Sequence, residues 1–591
     1  MKRCPECGRD YNDDSMSFCL DDGSELLFGP AVSVPPAVAG GALSGDDEPQ
    51  TAILHSTSAP GEAPTRAQIH TTEQTAVLER RAEAEPRESL DGLSERHSLS
   101  AHRAAKPLIV AAVAVVVLVG GFFGYRYLSA SGSGQINSIA VMPFENRNSD
   151  ADTDYLSDGL AESVIYRLSQ IPDLKVSPTS SVFRYKGKET DPQTVAKELG
   201  VDSVMTGRIT QRGENLNISV NLVDTRTNKS LWGEQYERKL SELLTTQREI
   251  VAEIVSKLQL KLSGESEQKL AKKYTVSDEA YQLYLRGQYH LARRSKEDLE
   301  KAIDNFQQAI KLDPNFALAY VGMSYTYANG TGNAFFAFSY EEGFSRARNA
   351  AVRALEIDPN LAEAHTAMGY ALRLGWNWTE AEREFKKALE IDPNNARAHY
   401  FYGIYLQSVG RTGDSVREIK TAVELEPMAL IMNANLAGAY MFDRQSELAL
   451  DQAKKTFDLD PTFISGRFWL AYAYCGNKKY AEAIELIEKG PQDDVSQRLL
   501  ARFRAYAYAK TGRRSEAEAI LAKYVSDPAY DGANAALVYG ALGEKDKAFA
   551  ALERGFARKE EMARMKVDPL FDDLRDDPRF ADLLKRMGLP E

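Results

Sequence analysis

The second half of the chain carries a spacing that few folds can satisfy. Short marks ending in Pro, LDPN, IDPN, IDPN, LEPM and LDPT, place prolines at Pro314, Pro359, Pro393, Pro427 and Pro461. The last four of these prolines fall 34 residues apart. A fixed period of this length means one supersecondary unit repeated, each copy burying its apolar face on the next. The interval from Pro314 to Pro359 is 45 residues, so that copy holds an insertion of 11, most simply within ANGTGNAFFAFS. Within copies the pattern A-x3-F-x2-A-x4-P recurs, as Ala302, Phe306, Ala309 and Pro314, and again as Ala381, Phe385, Ala388 and Pro393. Small alanines let two antiparallel helices approach, Phe fills the gap, and Pro stops the second helix.

This period and pattern resemble the tetratricopeptide repeat (TPR). The resemblance implies an all-α superhelical solenoid of about eight repeats over residues 277–560. The tail 561–591, VDPLFDDLRDDPRFADLLKRMGLPE from Val567 on, reads as an atypical cap over the last apolar face. First helices of such arrays line a concave groove. Spacing within repeats places Tyr370, Arg373, Tyr400, Ile404, Met441, Phe442, Phe468 and Tyr472 on it. An aromatic groove of this kind suits an extended or helical peptide of a protein partner. His290, His365 and His399 fall on first helices, where packing is the ordinary role.

Residues 135–270 read as an α/β domain. INSIAVMPFEN holds a buried-strand run, Ile139 to Phe144, and the following helix puts Leu156, Leu160, Val164, Ile165 and Leu168 on one face. LKVSPTSSVFRY reads as a second strand and DPQTVAKELGV as a short helix stopped by Gly200. Hairpin strands follow, with turns at Gly213 and Asn215 and at Thr227-Asn228, and with Leu216, Ile218, Val220 and Leu222 alternating onto one face. A last helix is expected over Ser241–Leu262. IAVMPFEN, YLSDGLAESVIYRLS, VSPTSSVFRYKGK, VAKELGVDSVMTGRI and LWGEQYERKL resemble the TolB-N-terminal-like domain, related to the FlgO domain. That family lies on the C-terminal side of bacterial membrane-anchored cyclases, regulators and kinases, usually before TPR repeats, and has no established catalytic residues.

The chain begins with CPECGRDYNDDSMSFCLDDG. Cys4 and Cys7 form a C-x-x-C knuckle, and Gly8 lets the backbone turn its N–H groups toward the sulfurs. Cys19 opens a second knuckle in which Asp22 stands at the C-x-x-C spacing. The expected cofactor is one zinc ion on Cys4, Cys7, Cys19 and Asp22, with Asp21 or water as alternatives to Asp22. Tyr11 and Phe18 supply a small core. The segment 1–27 resembles the short bacterial zinc ribbon that begins with CPxCG. Its acids outnumber Lys2, Arg3 and Arg9, which disfavours a phosphate backbone.

Residues 28–105, rich in Ala, Pro, Glu, Ser and Thr, read as a disordered tether. It repeats QTAIL as QTAVL, which makes Thr51 and Thr75 candidate phosphorylation sites. PLIVAAVAVVVLVGGFFGY, Pro107 to Tyr125, carries no charge and is about 18 apolar residues, enough for a transmembrane helix over 107–128. Arg96, Arg103 and Lys106 before it and Arg126 after it put the N-terminus in the cytoplasm. The expected localisation is therefore the inner membrane, single-pass, with the C-terminal domains extracytoplasmic.

A formal net charge of −13 disfavours a nucleic-acid partner. Four cysteines rule out a disulfide scaffold, and Cys475 reads as a small buried residue. The sequence holds no P-loop, no H-E-x-x-H and no kinase signature set. GTG at Gly330–Gly332 is expected between helices, and Asp152, Asp154 and Asp158 at a helix start. The expected function is a non-enzymatic scaffold or sensor for protein–protein interaction. The alternatives are a transcription or signalling regulator acting through the ribbon, or an enzyme with an unrecognised site in the α/β domain.

Overall fold

The computed structural model describes residues 2–3, 10–11, 27–28, 136–148, 151–332, 339–524 and 532–590. They fall into two units divided between Leu108 and Ile109. In the first unit, strand β1 (Lys2–Arg3) lies between β2 (Asp10–Tyr11) and β3 (Leu27–Phe28), antiparallel to both. Cys4, Cys7, Cys19, Asp22, Thr51, Thr75 and the expected span 107–128 lie outside the described residues. The expectation of a single-pass inner-membrane protein is corrected: no helix among the described residues is long and apolar enough to cross a membrane.

In the second unit, one sheet runs in the order β6-β4-β7-β8-β9. Strand β4 (Ser138–Val141) is parallel to β6 (Lys175–Val176) and to β7 (Ser203–Arg212). Strand β5 (Glu145–Asn146) pairs with the far end of β7. Strands β7, β8 (Asn215–Asp224) and β9 (Lys229–Lys239) form an antiparallel meander. Its turns use positive φ at Gly213 and Asn228, where the chain must reverse within a few residues. Leu216, Ile218, Val220 and Leu222 are all buried, as alternation requires. Helix α1 (Ala151–Ser169) buries Leu156, Leu160, Val164, Ile165 and Leu168.

Three expectations change. Pro178 ends β6 after two residues, and TSSVF forms helix α2 (Thr179–Phe183) instead of a longer strand. Asp158 lies inside α1 and pairs with Lys186 at 2.6 Å, so it complements no helix terminus. Helices α3 (Pro192–Leu199), α4 (Leu243–Lys257) and α5 (Gly264–Ala271) complete the domain and its exit. The expected last helix, Ser241–Leu262, ends early at Lys257, with Gln259 at positive φ, and α5 begins beyond its expected end.

The repeat array follows as helix pairs: α6 (Asp278–Arg293) with α7 (Lys296–Leu312), α8 (Ala317–Gly332) with α9 (Tyr340–Ile357), and α10 (Ala362–Leu374) with α11 (Trp378–Ile391). Next come α12 (Ala396–Val409) with α13 (Thr412–Leu425), and α14 (Leu430–Phe442) with α15 (Ser446–Leu459). The last are α16 (Ile464–Gly476) with α17 (Tyr480–Glu488), α18 (Asp494–Lys510) with α19 (Arg514–Tyr524), and α20 (Gly532–Ala541) with α21 (Lys545–Ala557). The GTG stretch is the last turn of α8, not a connection, because the insertion lengthens its repeat's helices.

First helices pack on the first helices of neighbouring repeats, so they form the inner side of the array. Several pairs close over a fully buried wedge at the same position, such as Phe306, Phe385 and Ile419. A polar latch repeats at the 34-residue period. His365 bonds Glu384 at 2.7 Å and the Pro359 carbonyl at 3.0 Å, and His399 bonds Glu418 at 2.7 Å and the Pro393 carbonyl at 2.9 Å. Asn433 takes the same place, donating to the Pro427 carbonyl at 2.8 Å and accepting from Gln452 at 3.0 Å.

Candidate functional site

The groove residues expected from spacing lie on first helices, but the chain itself covers them. After α21 come two short 3-10 turns, Ala563–Lys566 and Pro569–Phe571, then α22 (Asp572–Arg575) and α23 (Pro578–Arg586). This tail packs on the last pair, where Leu574 meets Gly540 and Arg586 pairs with Glu553 at 2.7 Å. It also runs back over much earlier helices. Arg373 donates to Ser408 at 3.0 Å and to Glu561 at 2.9 Å, and Tyr472 donates to Asp568 at 2.7 Å. Arg444 bridges to Asp572 at 2.6 Å and Lys510 to Asp573 at 2.5 Å.

Of the other expected groove residues, Tyr370 stacks on Phe401 with centroids 4.2 Å apart, and Tyr400 meets the same ring at 4.9 Å. Met441 is buried under Gly476, and Phe442 packs on Trp469 and Tyr472. Phe468 packs on Phe503 at 4.8 Å, and Ile404 is buried. Spacing therefore finds the inner face. It could not find the tail, whose apolar positions Leu570, Phe571, Leu574, Phe580, Leu583 and Met587 fit any apolar face.

Among the described residues, a chamber of about 1260 Å³ opens between the α/β domain and the first repeats. Helix α1 docks on α6, where Gly159 lies so close to Leu285 that a Cβ would come within 2.9 Å. The docking is fixed by Tyr166 and Tyr274, whose hydroxyls are 3.2 Å apart, and by Arg167, which donates to the Leu270 carbonyl at 2.9 Å. At the far side, the Ser180 N–H donates to Glu426 at 3.2 Å. These contacts span the chamber and hold its walls.

Three glutamates reach into it from three elements: Glu162 of α1, Glu363 of α10, and Glu426 just after α13. Glu162 is exposed to the chamber yet enclosed by protein beyond it. That enclosure, with Asp158 and Glu426 nearby, outweighs the attraction of Arg397 and Lys186 and pushes its carboxyl up to about 7. Burial also raises Glu363 and Glu426, against the hydrogen bonds they accept from Tyr166 and Ser180. Arg397, at the start of α12, is the cation all three share, and its guanidinium lies 5.0 Å from the ring centre of Tyr325. None of these residues stands out in the sequence: Glu162 is one acid inside a long helix, and Glu363 and Glu426 lie at helix ends, where acids are ordinary.

Among the described residues no group of three or more His, Cys, Asp or Glu is placed to hold a metal. Cys475 is buried, and burial raises its thiol.

Comparison with known proteins covers both halves of the second unit. Residues 135–254 match the family model "HilA/YgeH-like transcriptional regulator, second domain". The expected TolB-N-terminal-like identity is not confirmed. Residues 291–330 match a TPR repeat model and residues 362–395 a second tetratricopeptide repeat model. A protein of Rhizobium meliloti (strain 1021), named provisionally as adenylate cyclase 3, is 32% identical over 187 residues, which is 32% of each chain. The chain thus spans about a third of the length of that relative. Among solved structures, PilF of Pseudomonas aeruginosa is 20% identical, covers 37% of this chain and 96% of its own, and superposes with a TM-score of 0.28. PilW, a type IV pilus biogenesis factor, is 21% identical, covers 37% and 98%, and has a TM-score of 0.29.

Proposed function

We propose that this chain is a non-enzymatic regulatory scaffold that receives a segment of a partner protein at its repeat array. TPR repeats are scaffolds for protein–protein interaction, and the chain carries them. The observation that carries the finer reading is the chamber: the tail occupies the middle and end of the inner face, while the first repeats keep an open, walled space beside the α/β domain. The match to the second domain of a transcriptional regulator, together with the relative named for a cyclase, supports a regulatory setting rather than a purely mechanical one.

A zinc ribbon at residues 1–27 belongs to the same proposal, with Cys4, Cys7, Cys19 and Asp22 as ligands. The pairing of Lys2 with Tyr11 supports it, because the chain returns on itself across the stretch that holds Cys4 and Cys7. Zinc there would supply folding energy, not chemistry. A tether carrying phosphorylated Thr51 and Thr75 would give the ribbon side a second docking element.

In-cell lysine cross-linking of the full chain, read by mass spectrometry, tests the scaffold reading. Partner peptides joined to residues of 277–560 are expected. Links confined to the chain itself would overturn it.

A further inference from the structure

Four features of the chamber bear on what it could hold. It is larger than the contacts that span it require, at about 1260 Å³, and exceeds the usual range for small-molecule sites. Its glutamates outnumber the cation they share: Arg397 acts on Glu162, Glu363 and Glu426, and Lys186 acts on Glu162 besides. Of the four other lining cations, three are engaged elsewhere, and Lys273 is the fourth. Arg167 is held by the carbonyls of Leu270 and Lys272, Lys175 by the Gly200 carbonyl, and Arg248 faces Asp278.

The wall around Arg397 is aromatic, with Tyr325 under the guanidinium and Tyr284 within its field. Ring faces carry negative electrostatic potential and attract cations. Finally, Gln247 of α4 lines the chamber, is 1% exposed, and its Oε1 accepts no hydrogen bond. A buried acceptor without a donor costs free energy that an N–H from a ligand would remove.

Carboxylates in excess of the cation they share, aromatic faces and an idle buried acceptor all call for the same chemistry, a cation rich in N–H donors. We propose that the chamber is a receptor site for a basic segment of a partner polypeptide, whose Lys or Arg side chain enters among Glu162, Glu363 and Glu426. Arg397 over Tyr325 is the chain's own example of the contact. The inference rests on the scaffold reading and adds the chemistry of the partner.

The probe is fluorescein-labelled, N-acetylated tetralysine amide, titrated with the full chain at about 150 mM salt, where exposed charges are largely screened beyond a Debye length. Saturable binding is expected. E162Q/E363Q should weaken it at least tenfold, while E297Q/E300Q, which removes exposed acids from α7, leaves it unchanged. Labelled tetraglutamate should not bind. Unlabelled spermidine should compete at least tenfold less well than unlabelled tetralysine.

Equal weakening by the two double variants would reduce the binding to general surface attraction and overturn the proposal. So would binding of tetraglutamate. Spermidine as good as tetralysine would make the ligand a free polyamine and overturn the polypeptide assignment. Thermal melting checks the fold of each variant, and E162Q alone serves if the pair does not fold. If partners cross-link to the array but tetralysine does not bind, this inference fails alone. If tetralysine binds and no partner links to the array, the scaffold reading fails.

Discussion

The indole Nε1–H of Trp378 donates to the carbonyl oxygen of Met587 at 3.0 Å, across 209 residues of sequence. Trp378 is the first residue of α11, in the third helix pair, and Met587 follows the last helix of the tail. The bond is buried, so both groups depend on it: neither has water as an alternative. The tail is therefore fixed over the inner face by directed contacts rather than by apolar adhesion alone.

The strongest of these contacts has an acid signature. Glu561 meets Arg373 at 2.9 Å and Arg564 at 3.0 Å. Burial would raise its carboxyl, but the two guanidiniums outweigh burial and hold it down at about 2. A carboxyl depressed by folding contributes stability that is full above its unfolded value, about 4.3, and is lost as pH falls toward the folded one. Glu561→Gln should flatten the loss of stability between about pH 4.5 and pH 2. It should also cost roughly 3 kcal/mol at pH 7, because Arg373 is left buried without its charge partner. Urea titrations at stepped pH measure both. Identical acid limbs in the two proteins would refute the role given to this pair.

The repeating latch predicts the opposite pH dependence. Burial lowers His399, but the hydrogen bonds to Glu418 and the Pro393 carbonyl outweigh it and leave the imidazole raised. A raised histidine contributes stability that is full below its unfolded value near 6.5 and is lost as pH rises through the folded value. Replacing His399 and Glu418 by Asn and Gln copies the latch at Asn433 and Gln452. The double variant should remain within about 1 kcal/mol of the parent at pH 6 and lose the alkaline decline. A decline that survives the exchange belongs to another group.

Phe306 is held between two glycines. A Cβ at Gly287 would lie 2.5 Å from its ring and one at Gly322 2.4 Å. Gly322→Ala should destabilise by roughly 1–3 kcal/mol through overpacking. Gly264→Ala has open space around it at the first position of α5 and should move stability by less than about 1 kcal/mol, upward. Chemical denaturation of both variants checks the contrast. Equal effects would mean that the close approach at Phe306 is not a constraint.

The zinc proposal predicts one zinc per full chain by elemental analysis. Cys19→Ser should abolish it, and Asp22→Ala should only weaken it, since water replaces a carboxylate more readily than a thiolate. Unchanged affinity in Asp22→Ala with loss in Asp21→Ala would reassign the fourth ligand.

What could be read from the sequence follows the range of the interactions. The 34-residue marks and the Ala-Phe-Ala pattern report contacts within and between neighbouring repeats, and Phe306 and Phe385 are fully buried as that pattern requires. Alternation placed Leu216 to Leu222 for the same reason. Arg373 and Tyr472 were placed on the inner face by period, but their partners Glu561 and Asp568 lie 188 and 96 residues away. That pairing depends on how small rotations between successive repeats add up, which no local pattern encodes. The chamber was equally hidden, since Glu162 comes from the α/β domain and Glu363 and Glu426 from repeats that no local pattern brings beside it.

The tail's path also alters how the array can come apart. A repeat array whose members touch only their neighbours unravels from either end, one unit at a time. Here the last residues clasp the third pair, so loosening α20 and α21 removes cover from α11 as well. The segment between Trp378 and Met587 behaves as a closed loop: its repeats gain their final contacts late and lose them together. Amide protection should then be nearly level from α11 to α21, without the fall toward the C-terminus that an open solenoid shows.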